Sequence, residues 1–181
     1  EDGARADEFN AVFFRSDRFE LLDSGVFWLS EEPETPGSKG WDGACERLAT
    51  WTVLRDKSGR ELLFINTHLD HVGEQARREG VALLLRRIET PRDGRPVILT
   101  GDFNAGPSSP VIAPVVAPER HGTAWSFSDF GQLPEEERPL IDYVFCGSGL
   151  EVRSCSILPD TLGGGYLSDH APVEARLKYV R

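Results

Sequence analysis

The chain has 181 residues with 39% apolar content, enough for one sizeable hydrophobic core and short for two domains. Its 20 Lys+Arg stand against 30 Asp+Glu, a formal net charge of −10; such a surface repels polyanions and argues against a duplex-DNA enzyme held by non-specific phosphate attraction. No run reaches the roughly 18 apolar residues of a membrane span, no signal-peptide pattern opens the chain, and neither G-x-G-x-x-G nor a P-loop opens a helix.

In chain order, "NAVFFR" (Asn10 to Arg15) predicts a strand, and "FELLDSGVFWLS" (Phe19 to Ser30) a second, with a bulge or turn near Ser24-Gly25. Glu31 to Trp41, rich in Pro, Gly and charge, is a long loop. "RLATWTVLRD" and "ELLFINTHL", joined by Lys57-Ser58-Gly59-Arg60, form a hairpin. Val81, Leu84, Leu85 and Ile88 recur at helical spacing, and that helix ends near Thr90-Pro91. "RPVILTGD" is a strand, "LIDYVFCGSGLEVRSCSIL" a hairpin, and "DHAPVEARLKYV" a closing strand. Strands joined partly by hairpins and partly by a helix imply a layered α/β sandwich of mixed sheets, and not a doubly wound Rossmann sheet. Cys45, Cys146 and Cys155 give neither a disulfide framework nor a zinc pattern and read as reduced thiols in a cytoplasmic setting.

Four strand ends share one feature: an apolar run stops at groups that bind metal or phosphate. They are "FINTHLDH" (Asn66, His68, Asp70, His71), "LTGDFN" (Asp102, Asn104), "LIDYVF" (Asp142) and "YLSDHAP" (Asp169, His170). One such ending reads as a strand capped by an Asx turn. Four of them point to one rim, because rigid scaffolds place catalytic groups on loops at strand ends. Cleavage of a phosphate ester needs positive donors for the non-bridging oxygens, oxygen ligands for a hard cation such as Mg²⁺ or Mn²⁺, and a carboxylate to relieve a water of its proton. It also uses a histidine whose tautomer a carboxylate fixes. The four strand ends supply each type, lacking only a convincing Glu ligand.

The ordered set "NTHLDH", "TGDFN", "IDYVF" and "SDHAP" resembles the endonuclease/exonuclease/phosphatase superfamily, the DNase I-like group of nucleases, deadenylases and phosphatases, over about Gly3 to Tyr179. The loop "PGSKGWDGA" is similar to a bacterial branch of it. The resemblance implies two mixed β-sheets flanked by helices and hydrolysis by in-line attack of water, without a covalent intermediate. It makes Asp102 the residue that orients or deprotonates that water and Asn104 its support. It sets His68 against the phosphate, and has His170 bond a non-bridging oxygen while held by Asp142. It makes Asp169 a metal ligand, directly or through water, with Asp102 and Asn104 contributing.

Weaker candidates surround this set. His71 and Asp70 read either as pocket lining or as a solvated loop. Arg77 reaches a substrate phosphate or pairs with a carboxylate. Lys39 could meet phosphate and Trp41 stack on a base or sugar, or both belong to a plain surface loop. The family also carries an Asn and a metal-binding Glu near its start, and neither motif is in this chain, which opens Glu1-Asp2-Gly3 and contains no methionine. The expectation is therefore a chain lacking roughly the first third of its domain, with that N-terminal segment as a partner and with weak metal binding on its own. The leading function is a metal-dependent phosphoesterase for small or medium esters. A nuclease for short or single-stranded nucleic acid is the alternative, and an inert binding module a second.

Overall fold

The computed structural model describes residues 8–115, 121–124, 127–134 and 137–180; the first residue of the resemblance, Gly3, lies outside them. The elements are β1 (Phe19–Trp28), β2 (Leu48–Asp56), β3 (Glu61–His68), α1 (Glu74–Arg92), β4 (Val97–Asp102), β5 (His121–Ala124), β6 (Asp142–Cys146), β7 (Leu150–Ile157), β8 (Thr161–Leu162), β9 (Gly165–Tyr166) and β10 (Val173–Tyr179). A six-stranded sheet in the order β1-β2-β3-β4-β6-β5 forms the body, beside a β7–β10 ribbon and a short β8–β9 hairpin. Every neighbouring pair is antiparallel except β3–β4, which is parallel and is connected through α1, as a parallel pair requires a crossover.

The core is the packed face of this sheet. Val81, Leu84 and Ile88 of α1 meet Leu63, Ile65, Leu99 and Phe103 in one cluster. Phe103 is fully buried and stands edge-on to the Tyr143 and Phe145 rings at 5.6 and 5.2 Å. Burial of so large an aromatic side chain contributes on the order of 2–3 kcal/mol and anchors the chain just after β4.

Four expectations need correction. Asn10 to Arg15 is not a strand. Asn10 Nδ2 donates to Leu48 O at 3.0 Å, and Asn66 Nδ2 donates to Ala11 O at 3.3 Å, so side-chain bonds tie this segment across the sheet in place of a ladder. The irregularity in β1 is a register shift between Leu21 and Asp23, ahead of Ser24-Gly25. Helix α1 carries Pro91 within its last turn and ends at Arg92, capped by Asp93 in left-handed backbone (φ 40°). Finally, β6 and β7 are not a hairpin. The turn at Gly147 to Gly149, with φ 90° at Gly149, sends the chain out of the main sheet, where β7 pairs with β10. Alternating apolar residues on both sides of a glycine turn read alike whether the second strand folds back or leaves.

Candidate active site

The sheet register alone lines up three of the candidate residues. His68 ends β3 opposite Asp102, which ends β4; Asp102 in turn lies opposite Asp142, which opens β6. Neighbouring strands lie about 4.8 Å apart, so these side chains stand side by side along one edge. A fourth, His170, arrives on a loop through an isolated antiparallel bridge to Phe127, whose ring meets the imidazole edge-on at 4.9 Å.

Glycine makes the row possible. Gly101 has φ 151°, and a Cβ there would lie 1.9 Å from Thr67 O, so only glycine lets β4 approach β3 so closely at its end. Beyond it the chain alternates. Asp102 and Asn104 are half-buried at the rim while Phe103 between them is buried. Asn104 adopts left-handed backbone (φ 46°), which asparagine tolerates, and its N–H donates to Asp102 Oδ1 at 2.8 Å. Phe103 draws the strand into the core and leaves the polar pair outside.

Asp102 Oδ2 lies 3.3 Å from His68 Nε2 and 3.8 Å from His170 Nε2. His170 Nδ1 lies 2.8 Å from Asp142 Oδ2. Burial is the largest single influence on the His170 imidazole and pushes its pKa down. The Asp142 hydrogen bond and the charges of Asp142, Asp102 and Asp169 together outweigh it, so the group titrates above its ordinary value. Asn104 Nδ2 donates to Leu69 O at 2.9 Å and stands 3.2 Å from His68 Nε2. Beneath the row, Tyr143 Oη donates to Ala105 O and Leu140 O at 2.8 and 3.1 Å, and burial pushes its phenol far up.

An open cleft of about 630 Å³ lies over this row; its lining includes Asn10, Asn66, His68, Asp102, Asp142, Ser168 and His170. Asp102, Asp142 and His170 offer ligand atoms within 4.8 Å of one another. Two carboxylates with one imidazole, and carboxamides alongside, form an oxygen-dominated donor set that suits a hard divalent cation.

The other candidates sit elsewhere. Asp169 is half-buried; its main-chain oxygen accepts from Ser128 and Asp129 N–H at 2.7 and 3.0 Å, and its Oδ1 accepts from Ser168 Oγ at 3.1 Å. Asp169 directly precedes His170 in the chain, and its charge acts on the His170 imidazole. Among the described residues, Asp70 is absent from the cleft lining, and it is not solvated. It is 3% exposed, and its carboxylate accepts the N–H groups of Ala44, Cys45, Val72 and Gly73. Among the described residues, Arg77 pairs with no carboxylate and is absent from the cleft lining. Its Nη1 donates to Asp70 O at 2.8 Å, because a side chain in the first helical turn leans back over the helix start. Among the described residues, Lys39, Trp41 and His71 are also absent from the cleft lining. Lys39 is exposed, and Trp41 is half-buried in left-handed backbone (φ 49°), its N–H on Glu31 Oε2 at 3.1 Å.

One residue at the site escaped the sequence reading. Arg47 is 5% exposed, pairs with Glu8, and places Nη1 at 2.9 Å from His68 Nδ1 and Nη2 at 3.3 Å from His71 Nδ1. Its only sequence signal is a charge abutting the apolar start of β2.

Comparison with known proteins agrees with this architecture. The model of the Endonuclease/Exonuclease/phosphatase family matches residues 6–170. No curated protein matches the chain. Among solved structures, an endonuclease/exonuclease/phosphatase from Bacteroides vulgatus is 36% identical, with TM-score 0.84 over 92% of this chain and 69% of that one. A mannosyl-6-phosphatase from Bacteroides thetaiotaomicron is 31% identical, with TM-score 0.82 and the same coverage. The human Nocturnin catalytic domain, 23% identical with TM-score 0.66 over 92% of this chain and 62% of that one, shares the fold. The mixed sheets, the row of strand-end residues and a family match spanning nearly all of the sequence place this chain in the endonuclease/exonuclease/phosphatase family of hydrolytic enzymes, with a DNase I-like α/β sandwich fold.

Proposed function

We propose that this protein hydrolyses phosphate esters of small or medium size with a divalent cation, Mg²⁺ or Mn²⁺, by in-line attack of water. The observation that carries the reading is the position of Asp102 Oδ2 between His68 Nε2 and His170 Nε2, at 3.3 and 3.8 Å. A carboxylate flanked by two imidazoles at the floor of an open cleft suits a phosphoryl group seated over it.

Asp102 and Asp142 would hold the cation, which when bound would neutralise charge on the phosphoryl oxygens. Asp102 accepts a proton from the attacking water, assisted by an Asn104 N–H that fixes the orientation of its carboxylate. His170, its Nδ1 held by Asp142, donates from Nε2 to a non-bridging oxygen, and His68 donates from the opposite side. The new P–O bond forms as the ester P–O bond breaks, and the departing oxygen takes its proton from solvent.

Two observations support a small ester over long duplex DNA. The net charge is −10, and the Bacteroides thetaiotaomicron relative is a mannosyl-6-phosphatase. Trp41, the stacking residue considered for single-stranded nucleic acid, does not line the cleft. The decisive experiment measures hydrolysis of a sugar phosphate monoester, a simple phosphodiester and a short oligonucleotide, with Mg²⁺ or Mn²⁺ and with chelator. Chelator-sensitive turnover of the monoester that disappears in Asp102→Ala is the expected result. Preferential cleavage of the oligonucleotide would replace the phosphatase reading with the nuclease, and no turnover together with no metal binding would defeat both.

A further inference from the structure

We infer that Arg47 is a positioning residue that locks His68 and His71 as neutral Nε2–H tautomers, so that His68 presents a hydrogen-bond donor to the cleft. The consequence for catalysis rests on the phosphoesterase reading; the tautomer assignment does not.

The argument starts from what a guanidinium can do. It has N–H donors and no acceptor, and it stays charged inside a protein. A ring nitrogen 2.9 Å from Arg47 Nη1 therefore has to offer a lone pair, which places the His68 proton on Nε2. The same reasoning at 3.3 Å from Nη2 places the His71 proton on its Nε2.

Two contacts around His68 pull the other way. Glu8 Oε2 is 3.1 Å from Nδ1 and would accept a proton there. Asn104 Nδ2 is 3.2 Å from Nε2 and would donate to a lone pair there. Each has an escape that Arg47 lacks. The Glu8 side chain is largely exposed and already pairs with Arg47, and the Asn104 amide keeps its bond to Leu69 O at 2.9 Å. Arg47 is 5% exposed, and among the described residues its Nε is buried without a partner. A buried cation that already leaves one donor unmet is poorly placed to turn another against a second N–H. With Nε2 protonated, His68 donates to Asp102 Oδ2 at 3.3 Å, and a phosphoryl oxygen entering the cleft takes over that donor.

The test is two-bond ¹⁵N–¹H NMR of the chain labelled at histidine, at about pH 8, where an ordinary imidazole is neutral; signals are assigned with His68→Asn and His71→Asn. The expected wild-type spectrum shows Nδ1 of both residues unprotonated. An Nδ1–H tautomer or an imidazolium at His68 overturns the inference. Arg47→Met, which keeps the stem and removes the donors, is expected to move His68 toward the Nδ1–H form, whereas Arg47→Lys, retaining a cationic donor, is expected to preserve the wild-type form. An unchanged His68 signal in Arg47→Met also overturns it. Should that variant fail to fold, the wild-type and Lys spectra still decide.

In turnover of the preferred ester, Arg47→Met is expected to lower kcat on the order of 10- to 100-fold, as loss of an orienting partner does, with KM little changed. In a His68→Ala background it is expected to add nothing; an additive loss would show that Arg47 acts apart from His68 and overturn the positioning role. If the wild-type tautomers are as stated but no phosphate ester is cleaved, the function proposed above fails and the assignment stands.

Discussion

His170 Nδ1 lies 2.8 Å from Asp142 Oδ2, joining a loop residue to a strand end 28 positions earlier in the chain. The carboxylate both fixes the imidazole's orientation and favours its protonated form, leaving Nε2–H directed toward Asp102.

The pH dependence of stability follows from that pair. The folded His170 titrates above its ordinary value of 6.5, so the folded state holds the proton more tightly than the unfolded chain. The stabilisation is fully present below the unfolded value and is lost as pH rises through the higher folded value. Urea midpoints measured from pH 5 to 9 are expected to decline across this window in the wild type and to flatten in Asp142→Asn. An equal decline in both proteins would assign the slope to other groups.

Asp102→Asn keeps the shape of the side chain and removes the base. Loss of a positioned proton acceptor costs on the order of 10²- to 10⁴-fold in rate, and kcat for the preferred ester is expected to fall in that range. Circular dichroism and the urea midpoint are expected to stay near wild type, because Asp102 sits half-buried at the rim and outside the core cluster.

Asp70→Ala is a stability variant. The buried carboxylate accepts four main-chain N–H groups from two loops, and each buried donor left unmet costs about 1–3 kcal/mol, so a loss of about 3 kcal/mol or more is expected from denaturant unfolding. Burial alone would push this carboxyl up, but the four N–H bonds prevail and hold it below its ordinary 3.8. Its contribution is thus present above that value and fades as pH falls through the lower folded value. The wild type is expected to lose its stability advantage over Asp70→Ala in that acid range, as seen in acid-denaturation midpoints.

Gly101→Ala tests the close approach of β3 and β4. A methyl group there would meet Thr67 O at 1.9 Å, in backbone that disfavours any side chain. Strain of this kind costs about 1–3 kcal/mol before the clash is counted, so reduced stability by thermal unfolding and loss of turnover through a displaced Asp102 are both expected. Gly106→Ala, with open space around its Cβ, is the control and is expected to behave as wild type.

The elements with strong periodicity were legible from sequence: β2 and β3 by their alternation around a four-residue turn, α1 by Val81, Leu84 and Ile88, and β4 by the run ending in Gly101-Asp102. So was the gathering of carboxylates and imidazoles at strand ends, because such groups interrupt the apolar runs that precede them. The strand-end pattern picked out His68, Asp102, Asp142 and His170 without any coordinates, and these are the groups that converge.

Tertiary structure alone decided the rest, for a common reason: periodicity reports which face a residue takes, not which neighbour it meets. It set Asp102 opposite both His68 and Asp142, a matter of register between strands distant in sequence. It sent β7 away from β6 to pair with β10. It turned Asp70 from a pocket candidate into a buried acceptor and tied Arg77 to a backbone carbonyl, since a loop carboxylate reads alike whether it faces water or four N–H groups. And it buried Arg47 between two histidines, a placement that no local sequence pattern distinguishes from that of the other arginines.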